Sequence, residues 1–377
     1  MRIGIDGLPL TEILTGIGHY TNELAQHLGR EFPHDSVEVI SPRAFFQSLD
    51  SNASIPHNVA FHRPRRSLWN QRWWSIGLPR YLRSHSFDVF HGTNFEVPLQ
   101  GNCPAVITIH DLCMLLQSDT QERKLVRRAQ LRLPLMAQAA TMIITPTASV
   151  REELNEHLGI KLEKIVAISE AARDCFHHVK ESETEPVRRR VGIKGDYLLY
   201  VGTIEPRKNL WTLLQAFEEL AKARGRKLQL VLVGRKGWLV DDFLVQCKRS
   251  PFSDQILMPG YLSDEDLSAL YSSCTAFIYP SVYEGFGLPP VEAMSCGAPV
   301  IVSKIPSLLE VTGSAARSFK PHDVPELMRV IEEVLDSGEL RQELAEQGLV
   351  RARQFSWANT ARQTHEVYAE AIERFGR

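Results

Sequence analysis

Short apolar runs rich in β-branched residues alternate with longer amphipathic segments, and this alternation occurs twice along 377 residues. In the first series Arg2–Ile5, Val37–Ile40, Val89–His91, Ala105–Ile109 and Met142–Ile144 have the size and composition of strands. Between them Tyr20–Leu28, with Leu24 and Leu28 on one face, Trp73–Arg83 and Lys124–Ala140 read as helices. Apolar strands separated by helical segments predict a parallel sheet covered on both faces. The pattern stops at 177–196, HHVKESETEPVRRRVGIKGD, which is polar, charge-rich and without apolar periodicity, and is expected to be a linker.

A second series follows. Tyr197–Val201, Leu228–Val233, Ile256–Met258, Thr275–Tyr279 and Pro299–Val302 read as strands. Asn209–Arg224, Asp241–Arg249, a segment opened by Ser263 as a cap, Val291–Ser295, Val324–Asp336 and Ser337–Arg353 read as helices. Trp357–Arg374 makes a last amphipathic helix. The expected fold class is α/β, with two doubly wound, Rossmann-like domains facing a central cleft. They span 1–176 and 197–356, and 357–377 is expected to pack back on the first. Ligands of such sheets bind beyond the carboxyl ends of the strands, so the loops there are where function is sought.

Composition removes several classes. Lys and Arg number 43 against 45 Asp and Glu, a net charge of −2, so no basic excess supports nucleic-acid binding. No apolar run approaches the roughly 18 residues of a membrane span. The opening MRIGIDGLPL is strand-like and lacks the layout of a signal peptide. The six cysteines contain no CxxC pair and no histidine partners at metal spacing. A reduced, cytoplasmic chain with buried thiols and no bound metal is the expectation.

The densest chemistry lies in YPSVYEGFGLPPVEAMSCGAPV, 279–300. A strand ends there in a turn holding Gly285 and Gly287, and a helix is expected to start near Pro289–Pro290, where proline has no N–H to lose. The glycines let a ligand approach the backbone beside a helix start, which can hold a diphosphate or sugar hydroxyls. Glu284 on the loop and Glu292, expected in the first helical turn, can each accept from hydroxyls. Alternatively they are acids placed to suit the helix dipole.

E-x7-E with GFGLPPVEAMSCGAPVI resembles the donor-binding signature of the family 4 retaining glycosyltransferases of GT-B architecture. YVGTIEPRKNL, 200–210, is similar to the strand, loop and helix that in this family bring a basic pair to the donor diphosphate, matched here by Arg207 and Lys208. VLVGRKGW, 231–238, and PGYLSDEDLSALYSSC, 259–274, match as well, supplying a strand-end glycine turn and the wall beside the base. The resemblance implies that Gly16, Gly18, Gly202, Gly234, Tyr261, Gly285, Phe286, Gly287, Leu288 and Glu292 bind the donor. It gives His110, Arg207, Lys208 and Glu284 to catalysis. Gly16 and Gly18 stand in GIGHYTNELAQHL, where the family has a Gly-rich loop, or else a tight turn. His110 and Asp111 end the strand in ITIHDL. His110 would donate to a sugar hydroxyl or support positive charge through its main-chain carbonyl, unless it is a satisfied core histidine. Thr147 and Ser149 in ITPTASVREEL are candidate helix caps, and His91 in VFHGTNF joins Asp111 on the acceptor side. One departure stands out: many relatives carry Asn-Gly after the strand at Ile165–Ile168, where this chain has Glu170 and Ala171.

The implied reaction moves a sugar from a nucleotide diphosphate sugar to an acceptor hydroxyl with retention, by a front-face route needing neither metal nor cofactor. Arg207 and Lys208 would stabilise the leaving diphosphate. The TIEPRKNL and GIGHYT forms look most like bacterial mannosyltransferases of surface polysaccharide assembly, which makes GDP-mannose the first donor and a UDP-sugar the second. The acceptor is expected to be a glycan or lipid-linked intermediate. FHRPRRSLWNQRWW, with Arg63, Arg65, Arg66, Arg72, Trp69, Trp73 and Trp74, suggests peripheral contact with the inner membrane surface, or an ordinary core helix. A nucleotide-sugar 2-epimerase and a catalytically silent nucleotide-sugar-binding subunit remain as rivals.

Overall fold

A computed structural model describes residues 1–12, 14, 16–46, 55–65, 72–224 and 228–376. The chain divides into two units. The first comprises Met1–Leu115, Lys124–Glu170 and Ser356–Arg377, and the second Leu116–Arg123 and Ala171–Phe355.

The first unit is built on a parallel sheet of seven strands: β1 (Arg2–Asp6), β2 (Ser36–Ile40), β3 (Val59–His62), β4 (Val89–Gly92), β5 (Ala105–Thr108), β6 (Met142–Thr145) and β7 (Ile165–Ala167). Their order is β3-β2-β1-β4-β5-β6-β7, so the direction of winding reverses between β1 and β4. Ile3 stands opposite Val37 on one side and Val89 on the other. β4, β5 and β6 are buried at every position, which is why they are largely apolar rather than alternating, with His91, Thr108 and Thr145 near their carboxyl ends. The edge strand β3 was not expected: it buries only Val59, half-buries Phe61 and leaves Ala60 and His62 exposed, so its apolar signal is short.

The second unit has six parallel strands: β8 (Tyr197–Val201), β9 (Gln229–Val233), β10 (Ile256–Gly260), β11 (Ala276–Tyr279), β12 (Val300–Ser303) and β13 (Ala316–Phe319). Their order is β10-β9-β8-β11-β12-β13, reversing between β8 and β11. Tyr197, Tyr200, Phe277 and Tyr279 are fully buried across these central strands. Burying one such aromatic is worth roughly 3 kcal/mol, so this pair of strands is a rigid platform for the loops beyond it. β13, again an edge strand of mixed polarity, was also missed.

The stretch 177–196 is not an open linker. Glu181–Val191 forms a helix that packs on Asp264–Ser273 within the second unit. It buries only Thr184 and Val187, too narrow a stripe to show periodicity. It holds together through Glu181 and Glu183 in its first turn, Arg188, Arg189 and Arg190 in its last, and Gly192 as a left-handed cap. The helix Trp357–Phe375, capped by Ser356, packs in the first unit against Gly16–Glu31. Its Trp357, Ala361, Tyr368 and Ala371 face inward. His365 pairs with Asp35 at 2.8 Å and Arg362 with Glu31 at 2.6 Å. Among the described residues no helix is long and apolar enough to cross a membrane.

Candidate functional site

In the second unit the residues singled out from the sequence gather at the carboxyl ends of β8 and β11, on either side of the winding reversal. β8 and β9 end in Gly202 and Gly234, with φ of 149° and 143°. A Cβ on Gly234 would lie 2.0 Å from the Gly202 carbonyl oxygen, so no side chain fits between these two strand ends. After β8 the chain makes the tight turn Pro206–Lys208 and passes through Asn209 in a left-handed conformation. Asn209 Nδ2 donates to the Pro280 carbonyl at 3.1 Å, and the Val282 amide donates to the Arg207 carbonyl at 2.9 Å. Ser307 Oγ donates to the Glu284 carbonyl at 2.6 Å. These bonds stitch the loop carrying the basic pair to the loop carrying Glu284.

Four charges meet there. Lys208 Nζ is 2.6 Å from Glu284 Oε1, and it also donates to the Tyr279 hydroxyl at 2.7 Å. Arg207 reaches Glu284 Oε2 at 2.7 Å and Glu205 Oε1 at 2.8 Å, and donates to the Tyr283 carbonyl at 2.7 Å. Glu205, Lys208 and Glu284 are buried. Burial alone would raise the Glu284 carboxyl. The charges of Arg207 and Lys208 and the bond from Lys208 override it and hold the group at about 2. Burial and the neighbouring Arg207 push the Lys208 ammonium down, against the pull of Glu284 and Glu205. Both oxygens of Glu284 are thus committed to cations. That makes it a poor nucleophile and a poor base, while the two cations stand at strand ends where an anion can join them.

The helix after Glu284 is Leu288–Ser295, entered through Gly287 at φ 100°. A Cβ on Gly287 would meet Leu308 at 2.6 Å, so glycine is required by conformation and by space. Pro289 and Pro290 fall at the second and third helical positions and offer no N–H. Glu292 is the fifth residue, on the second turn rather than the first, because the helix begins a residue before the prolines. Its Oε2 accepts from the Tyr271 hydroxyl at 3.2 Å. Burial raises this carboxyl to about 7, against the pull of Arg173 and of the Tyr271 hydrogen bond. Arg173 is itself clamped by Asp264 at 2.5 and 2.8 Å, and Asp264 adds a further upward push. Phe286 is buried, edge-on to Phe355, with Gly285 before it and half-buried Leu288 after it. Tyr261 stands exposed beyond β10, its ring under the Arg235 guanidinium at 5.0 Å.

In the first unit His110 and Asp111 follow β5. Asp111 Oδ1 accepts from the Cys113 amide at 2.9 Å, ending the turn. His110 is buried, with Nε2 2.9 Å from the Thr93 carbonyl and Nδ1 3.0 Å from Glu170. Both ring nitrogens are thus satisfied inside the first unit, as the core-histidine alternative has it, and the ring does not present an N–H to a sugar hydroxyl. His91 is corrected outright. It is fully buried, with Nδ1 2.7 Å from the Tyr368 hydroxyl and Nε2 2.7 Å from Thr108 Oγ1. It ties two strands to the last helix with both ring nitrogens engaged. Gly16 opens the helix Gly16–Glu31, and Gly18, within its first turn, would set a Cβ 3.1 Å from the Pro9 carbonyl. Thr147 caps Ala148–Leu158, its side chain accepting from the Val150 amide, while Ser149 lies within the first turn. In the basic–aromatic stretch Trp73 is buried against Leu78, Leu82 and Phe90, a core position; Arg66 and Trp69 lie outside the described residues.

Glu205, Arg173, Asp264 and Tyr271 were not singled out from the sequence. Glu205 had a signal, standing two residues before Arg207 at a strand end. The other three had none, since their partners lie some 20 to 90 residues away, as with Tyr271 and Glu292 or Arg173 and Asp264. Among the described residues no group of three or more His, Cys, Asp or Glu side chains is placed to hold a metal ion.

Residues 14–171 match a family model described as glycosyltransferase family 4, and residues 183–351 one described as glycosyl transferases group 1. The chain is 33% identical to the O-antigen chain mannosyltransferase B of Escherichia coli, over 98% of this chain and 99% of that protein. It is 38% identical to the MMP alpha-(1->4)-mannosyltransferase of Mycolicibacterium hassiacum, over 95% of each. The crystal structure of Anabaena HepE in complex with UDP and glucose is similar in fold, with TM-score 0.75 at 18% identity, covering 98% of this chain and 99% of that one. Two parallel, doubly wound units, a basic pair locked to the first glutamate of E-x7-E, and these matches agree: the chain is a glycosyltransferase of GT-B architecture and belongs to family 4.

Proposed function

We propose that the chain transfers mannose from GDP-mannose to a hydroxyl of a glycan or lipid-linked intermediate in surface polysaccharide assembly, with retention and without a metal. The carrying observation is the Glu205, Arg207, Lys208 and Glu284 cluster at the ends of β8 and β11. Two cations paired with two acids form a neutral cluster before the donor binds. The donor's phosphates then take a share of Arg207 and Lys208, and the developing charge on the leaving group is met by groups already in place. The bond from the anomeric carbon to the phosphate oxygen breaks as the bond to the acceptor oxygen forms. The acceptor proton passes to the departing phosphate oxygen, since both Glu284 oxygens are engaged. Glu292 would accept from the ribose hydroxyls. Mannose is favoured by the likeness to two mannosyltransferases.

We propose also that the enzyme works on the cytoplasmic side, against an anionic membrane surface. The helix Arg123–Ala139 supports this better than the basic–aromatic stretch. It carries Arg123, Lys124, Arg127, Arg128 and Arg132 and no acid, and exposes Leu125, Leu131 and Leu135 by 45%, 65% and 52%. Arg128 and Arg132 share Glu96, which leaves the helix a net basic surface.

Calorimetric binding of GDP, UDP, dTDP and ADP, followed by their sugars, tests the donor. A GDP response with release of GDP from GDP-mannose, undiminished by EDTA, and an α-anomeric product by NMR are expected. A UDP response would replace the donor and keep the cluster's role. Binding without donor turnover would point to a silent subunit, and silence across the panel would sink the reading.

A further inference from the structure

The His110 ring is enclosed by groups that accept protons. Nε2 faces the Thr93 carbonyl at 2.9 Å, and a carbonyl can only accept, so Nε2 carries a hydrogen. Nδ1 faces Glu170 Oε1 at 3.0 Å, and one proton lies between them. With that proton on the ring the contact is a charge-assisted hydrogen bond, stronger than the neutral alternative. Burial opposes a charged ring here. The bond and charge of Glu170, the bond to Thr93 and the charge of Asp111 outweigh it and move His110 up. The other groups around it do not compete for that proton. His91 is held neutral, pushed down to about 3 by burial and by the His110 charge. Tyr20, edge-on at 4.8 Å, has its hydroxyl on Thr108, and Phe95 closes the wall at 6.0 Å.

We propose that Glu170 is a positioning residue for sugar transfer: it fixes His110 as a doubly protonated ring with both N–H groups spent inside the first unit, so that His110 acts through its main-chain carbonyl, neither as a base nor as a side-chain donor. The proposal rests on the transferase reading for the reaction it serves, whereas the protonation state follows from the groups that face the ring and stands without that reading.

Imidazole NMR of the full chain labelled at histidine, with His110 assigned through H110N, tests the protonation state. The expected result is a ring that stays doubly protonated above the ordinary histidine range of roughly 6.5, and that falls to or below that range in E170Q. Donor turnover in E170Q should drop about tenfold or more in kcat with KM little changed, its high-pH limb shifted to lower pH. E170D, which keeps the charge, should restore the limb, and GDP affinity should be the same in all three. A His110 that titrates at or below the ordinary range in the native chain, or a limb that ignores E170Q, overturns the proposal. Should E170Q fail to fold, the native titration and E170D decide. Loss of the transferase reading shows separately, as absence of turnover by the native chain.

Discussion

Glu284 has one oxygen for each of two cations, and Glu205 occupies the far side of Arg207. Replacing one member therefore changes the charge the remaining three present to a phosphate. Arg207→Ala and Lys208→Ala should each lose roughly 2–4 kcal/mol at the transition state, measured as kcat/KM for donor turnover. Glu284→Gln leaves one excess positive charge, so GDP should bind at least as tightly by calorimetry while transfer falls. Weaker GDP binding in that variant would contradict the cluster's role. Glu292 gives a pH dependence of defined sign. Its folded value of about 7 exceeds the ordinary 4.5, so the folded chain holds an extra proton between them, and the contribution to stability present below about 4.5 is lost as pH rises towards 7. Nucleotide binding should run the other way, strengthening as pH rises through 7 and the carboxylate forms, and Glu292→Gln should flatten that profile. Arg207, Lys208 and both glutamates could be grouped from the sequence because each sits at a strand end within one short motif. His91 and His110 look alike by the same criterion. They are told apart by Tyr368, 277 residues from His91, a partner that no local pattern announces.

Helices with broad apolar faces leave a strong periodic mark and strands buried on both sides a continuous apolar run, and Val324–Asp336 and Tyr197–Val201 lie where these signals put them. β3, β13 and Glu181–Val191 bury one or two residues each, and their apolar signal is too thin to read. The helix Arg123–Ala139 shows the converse, apolar residues that face outward. Its Leu131 and Leu135, one turn apart and flanked by Lys124, Arg127 and Arg128, should insert into a lipid surface. Sedimentation with phosphatidylglycerol vesicles should recover the native chain, with phosphatidylcholine vesicles recovering little. Leu131→Glu with Leu135→Glu should abolish binding without lowering Tm, since neither side chain is buried. Equal recovery by both vesicle types, or recovery of the double variant, would remove the membrane from the account.

On the scale of the whole chain, each unit has its own sheet, and the first is completed by residues from the far end of the sequence. Trp357, Ala361, Tyr368 and Ala371 fill the side of the sheet where Gly16–Glu31 lies, and Thr360 Oγ1 donates to the Ser169 carbonyl at 2.7 Å. A stop after Phe355 would uncover Tyr20 and His91 as well as the helix Gly16–Glu31. Limited proteolysis of such a truncated chain should cut first within the first unit, around 16–31. Cuts confined to the second unit would show that the last helix is dispensable.

The same helix sets a timetable for biosynthesis. A ribosome delivers the first 355 residues before the helix at 357–375 emerges, so the earlier-made unit waits for the later one to be translated. Until then the groove around Tyr20, His91 and Leu24 has no cover, and a nascent chain paused there is a natural client for chaperones that shield apolar surface.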